Sequence, residues 1–146
     1  MTASLTPNRE AVKSALWWLY EGATFLVSLA DTTGAGSPPA LDGPYDDWAP
    51  YLLDGAYDLF LTGGAVDYDA TITDRAELDR LVITLDYASN VTYTDLVIVC
   101  VPAVDPGASA PLYAFPLVAV IHESSPVTVL STESKTYNLD LFAEWI

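Results

Sequence analysis

From residue 23 to residue 29 apolar side chains fall on every second position. Ala23, Phe25, Val27 and Leu29 alternate with Thr24, Leu26 and Ser28, the period of a strand with one face turned inward. A different period precedes it. Val12, Ala15, Leu16 and Leu19 recur at helical spacing behind Thr6 as a cap and Pro7 at the first helical position, which predicts one short helix within residues 1–22, closing at Gly22. Residues 31–44 are rich in Thr, Gly, Ser, Pro and Asp. Their Ser37-Pro38-Pro39 and Asp42-Gly43-Pro44 sustain neither a helix nor a central strand, so a surface loop is predicted there. An aromatic and acidic stretch follows, with Tyr45, Asp46, Asp47, Trp48, Tyr51, Tyr57 and Phe60 ahead of the Gly63-Gly64 turn. It reads as short strands.

Beyond that turn the punctuation is regular. Strands are predicted at residues 66–71, 81–86, 91–94 and 96–101, a second loop at 102–111, and further strands at 117–121, 127–130 and 135–145. Short strands in series with a single helix in front predict a mainly β protein, an antiparallel β-sandwich or jelly-roll-like fold with one short N-terminal helix. The expected core is Phe25, Val27, Leu29, Leu81, Val82, Ile83, Leu85, Val97, Val99, Val118, Val120, Leu139 and Leu141.

The chain has 146 residues, of which 51% are hydrophobic, with 9 Tyr, 4 Trp and 4 Phe. That is enough core-forming material for one domain over residues 1–146 and too much for a disordered tail. Charge narrows the partners. Asp and Glu number 20 against 5 Lys and Arg, a formal net charge of -15. A field of that sign repels phosphate backbones and anionic lipid, so neither nucleic acid nor a membrane is an expected partner. Acidic surfaces are also common in ordinary soluble proteins, salt-adapted ones in particular. Cys100 is the only cysteine, and its setting in Leu96-Val97-Ile98-Val99-Cys100-Val101 is that of a small buried hydrophobe. No basic stretch leads into an apolar one at the start, and no apolar run nears the roughly 20 residues of a membrane span. Neither a secretory signal nor a lipid anchor is expected.

Catalytic chemistry has few places to start. His122 is the only histidine, and Ser124 lies close by, but a nucleophile, base and orienting acid converge from separated elements. His122, Glu123 and Ser124 are chain neighbours at an expected strand end, with no Gly-x-Ser-x-Gly elbow elsewhere. Asp67, Asp69, Thr71 and Asp74 supply oxygen ligands at alternating positions but lack the turn glycine and closing glutamate of a calcium loop. They read as a solvated strand face. No catalytic residue, cofactor site or metal site is therefore expected. Asp46, Asp47, Asp54 and Asp58 beside Trp48, Tyr51 and Tyr57 suit either a sugar site or a joint between subunits, and the joint is preferred. The candidate interface residues are Trp17, Trp18, Tyr20, Tyr45, Trp48, Tyr51 and Tyr57. At about 100° per helical residue, Trp17 and Trp18 cannot both face the same way.

The order of these features carries a resemblance. The run Glu21-Gly22-Ala23-Thr24-Phe25-Leu26-Val27-Ser28-Leu29, the Tyr and Trp segment at 45–51, Gly55-Ala56-Tyr57, the strands at 81–86 and 91–101, then Pro116-Leu117-Val118-Ala119-Val120-Ile121-His122 and a closing strand at 139–146 resemble small virion structural proteins of tailed phages. The likeness runs from Gly22 to the C-terminus. It implies a β-sandwich located in the virion and assembled in the host cytoplasm. The leading expectation is a capsid decoration or cement protein, a homotrimer that binds the phage major capsid protein or other virion proteins. A tail or tail-fibre subunit and a carbohydrate-binding module are the alternatives. The loop at 31–44 is longer than that pattern expects, and the front helix is stronger.

Overall fold

A computed structural model of the chain describes residues 3, 24–40, 43–62, 75–101 and 117–144. The helix predicted within residues 1–22, with Trp17, Trp18 and Tyr20, lies outside the described residues, as do the strand at 66–71, the acidic ligand set at 67–74 and the loop at 102–111. The protein is mainly β. Its strands are β1 (Thr24–Ala30), β2 (Leu59–Thr62), β3 (Arg75–Leu85), β4 (Val91–Val101), β5 (Leu117–Val129) and β6 (Lys135–Glu144). A four-stranded sheet has the order β2-β1-β4-β5 and a two-stranded sheet pairs β3 with β6, every pairing being antiparallel.

Two cores flank β1 and β4. On one side Phe25, Val27 and Leu29 stand beside Cys100, Ile98 and Leu96, their register partners. They pack with Leu81, Ile83 and Leu85 of β3, so both sheets contribute to one cluster. On the other side Leu26, Ala30, Val97 and Val99 pack against Tyr45 and Trp48. Those two rings belong to a 3₁₀ helix, Tyr45–Tyr51, followed by a second at Gly55–Tyr57. Within the stretch expected as short strands, Phe60 lies in β2, whereas residues 45–51 and 55–57 are helical turns, the first of which covers the second face of the sheet. This corrects the one-sided reading of residues 23–29: Leu26, Ser28 and Ala30 are as deeply buried as their neighbours, because a strand covered on both faces loses its alternation. In β3 the alternation survives. Leu81, Ile83 and Leu85 point inward and Val82 is 37% exposed, so Val82 leaves the expected core. Val97 and Val99 are buried, and Val118 and Val120 are half-buried. The side chains of Leu139 and Leu141 lie outside the described set.

The strands predicted separately at 91–94 and 96–101 are one strand, as are those at 117–121 and 127–130. Each is continuous through an irregularity. Tyr93 pairs with Val127 whereas Asp95 pairs with His122, so residues 123–126 of β5, Pro126 among them, are accommodated without a one-to-one partner. A bulge is where a proline fits inside a strand. Across the same slip β4 changes phase: Val91 and Tyr93 belong to the joint core, and the pattern resumes at Leu96, Ile98 and Cys100. That shift places Thr94 and Asp95 together at the edge of the second core.

Candidate functional site

Asp95 is 1% exposed, and a carboxylate at that depth needs hydrogen-bond donors. It has three. Thr94 Oγ1 donates to Oδ2 over 2.6 Å, Thr32 Oγ1 donates to the same oxygen over 2.8 Å, and His122 Nδ1 lies 2.7 Å from Oδ1. The bulge supplies the first, the loop after β1 the second, and the β4–β5 register the third. Thr32 is itself fixed, since its backbone N–H donates to Thr94 Oγ1 over 2.8 Å and its carbonyl accepts from Ala35 over 3.0 Å. In that turn Gly34 has φ of +84°, a conformation that side chains other than Gly rarely adopt.

To donate to a carboxylate, Nδ1 of His122 must carry a ring proton, so Nε2 accepts in the neutral ring and donates in the imidazolium. The His122 side chain is 55% exposed. A cavity of about 230 Å³ opens beside it, lined among the described residues by Pro38, Pro39, Trp48, Asp95 and His122. Trp48 is 1% exposed, and its Nε1 is sealed from solvent without a hydrogen-bond partner, a cost of about 1–3 kcal/mol. Trp48 therefore backs the cavity and offers it neither a donor nor an open ring face.

A second polar chain ties β4, β5 and β6 together. Tyr93 and Tyr137 hydroxyls are 2.6 Å apart, Tyr137 donates to Glu123 Oε1 over 2.6 Å, and Lys135 Nζ donates to the same oxygen over 3.2 Å. The Tyr137 hydrogen bond, then that of Lys135, holds the Glu123 carboxyl below its ordinary range. Burial, followed by the Glu123 hydrogen bond, pushes the Tyr137 phenol upward. Glu123 thus turns to β6 while its neighbour His122 turns to Asp95. The expectation that His122 stands at a strand end is corrected, for it sits within β5 and forms an acid–histidine pair.

Of the expected interface residues, Trp17, Trp18 and Tyr20 lie outside the described residues. Tyr45 and Trp48 are buried within the second core, with Tyr51 packed against it, and Tyr45 also meets Ser28 Oγ over 3.1 Å. Tyr57 packs against the joint core and stands edge-on to Tyr87, ring centroids 5.4 Å apart. Sequence reasoning missed Asp95, Thr32 and Thr94. The available signal was an acidic residue between Val91-Thr92-Tyr93-Thr94 and the apolar run at 96–101, which had the look of a break between strands. No protein-family model, curated protein or solved structure matches this chain.

Proposed function

We propose that the protein is a structural subunit of a tailed-phage virion, a β-sandwich that binds the head shell as a decoration or cement protein and works as a homotrimer. The joint core shared by the two sheets supports the sandwich. The observation that carries the assembly reading is β2. Among the described residues this strand pairs only with β1, and it presents Phe60 at 63% exposure. An exposed aromatic ring on a strand with no second neighbour among the described residues is a surface suited to another chain. The charge of -15 keeps free subunits apart until a matching surface is met. Trp48, central to the carbohydrate alternative, has its ring buried and is a poor stacking platform.

Electron microscopy of intact particles, with antibody or density assignment of this chain, tests the proposal. Density on the outer face of the head lattice is expected, removable without loss of the shell. Density in the tail favours the tail or fibre reading, and absence from the particle refutes both. Phe60→Ser should weaken self-association in sedimentation while leaving monomer stability within about 0.5 kcal/mol.

A further inference from the structure

We infer that Tyr93, Tyr137, Glu123 and Lys135 form an acid-released clasp between the two sheets, closed while Glu123 is ionised and opening one end of the joint core when it takes a proton. All three hydrogen bonds of the clasp cross from one sheet to the other. Tyr93 lies on β4 and Glu123 on β5 of the four-stranded sheet, whereas Lys135 and Tyr137 lie on β6 of the two-stranded one. The direction of donation follows from counting protons. Tyr137 has one hydroxyl proton and gives it to Glu123 Oε1 over 2.6 Å, so Tyr93 donates to Tyr137 across the 2.6 Å between their hydroxyls. Lys135 Nζ donates to the same carboxylate oxygen over 3.2 Å and lies 5.0 Å from the centre of the Tyr137 ring. Each donor in the set thus ends, directly or through Tyr137, on one carboxylate oxygen, and bonds to an ionised acceptor are roughly twice as strong as neutral ones.

The position of the clasp gives its state a consequence. Glu123 opens the stretch of β5, residues 123–126, that has no one-to-one partner on β4, so the ladder holds it weakly and the side-chain bonds to β6 tie it down. Beneath lie Val91, Tyr93 and Val129 of the joint core, with Val127 and Tyr137 packed against them. Solvent reaches the charged groups, since the Glu123 side chain is 27% exposed and that of Lys135 36%. The titratable groups facing Glu123 are Tyr137 and Lys135 from β6 and His122 beside it in β5, with Tyr93 of β4 behind Tyr137. The Tyr137 hydrogen bond, then that of Lys135, keeps the carboxyl low, so the clasp is at full strength above the ordinary carboxylate range and is lost as pH falls through the lower folded value. Protonation takes the counter-charge from Lys135 and the ionised terminus from the tyrosine chain together.

Native-state hydrogen exchange on the full chain, labelled with nitrogen-15 and corrected for intrinsic exchange rates, is the test between about pH 3 and 6. Protected amides within residues 127–129 and 135–138 should exchange through an opening smaller than global unfolding, at lower free energy and with a weaker urea dependence than the amides of β1. In the wild type their protection should fall about fivefold as Glu123 takes its proton, the upper end for a partly exposed ion pair. Glu123→Gln should show that reduced protection already at about pH 6 and lose the further fall on acidification. If these amides exchange with the same free energy and urea dependence as β1, there is no separate opening and the inference is overturned by the wild type alone. Protection that is indifferent to Glu123→Gln, or that falls with acid equally in the variant and the wild type, overturns it as well, because the opening then leaves the clasp intact or answers to another carboxyl.

Discussion

Replacing His122 by Ala removes one of three donors from a carboxylate that is 1% exposed. An exposed surface histidine ordinarily contributes within about 0.5 kcal/mol. Here the lost bond is to a charged group, a class of interaction that contributes about 1.5–3 kcal/mol. The cavity admits water to the vacated position, which returns part of that, so about 1–2 kcal/mol of destabilisation is expected. Asp95→Asn supplies the second corner of a cycle. The amide oxygen still accepts from Thr32 and Thr94, and its NH2 can donate to Nδ1 once the imidazole takes the other tautomer. That substitution should cost about 1 kcal/mol through lost charge assistance. With Asp95→Asn already in place, His122→Ala should then cost less than in the wild type, a coupling of about 1 kcal/mol. Urea unfolding at pH 7, followed by tryptophan fluorescence, measures all four corners. If His122→Ala falls within about 0.5 kcal/mol of wild type and the two changes add within about 0.3–0.5 kcal/mol, the pair contributes nothing and the reasoning fails.

Tyr137→Phe removes the main group that holds Glu123 low. A carboxyl lowered in the folded state stabilises above its ordinary range and loses that contribution as pH falls through its folded value, so the acid limb of the wild-type stability curve should be flatter in the variant. Parallel curves from urea midpoints between about pH 3 and 6 would refute this. Gly34→Ala meets no atom within 4 Å and carries only the strain of φ at +84°, so it should cost about 1 kcal/mol; a neutral effect on the unfolding midpoint would show that the turn relaxes freely. Burial pushes the Cys100 thiol up to about 11. Labelling by a disulfide reagent should therefore track the unfolded fraction as urea rises, and rapid labelling of the native protein would contradict the buried position.

Alternation and turn residues made β1 at Thr24–Ala30, the loop after it and the last strand at Lys135–Glu144 legible in the sequence, since these signals depend on neighbours a few residues apart. The mainly β class followed from the same local evidence. Which faces are buried did not. Leu26, Ser28 and Ala30 are covered because Tyr45 and Trp48 fold back over the sheet, and nothing within residues 24–30 records that event. The continuity of β4 and β5 through Thr94-Asp95 and Pro126 depends on pairing between them, where local breakers are absorbed by an irregular register. The acid–histidine pair is the clearest case. Asp95 and His122 are separated by 27 positions, and Thr32 lies 63 positions from Asp95. Sequence alone determined that an acidic residue stands at the head of an apolar run. Only the β4–β5 register and the loop returning from β1 brought it three donors, because contacts across strands follow from packing of distant segments and leave no periodic trace along the chain.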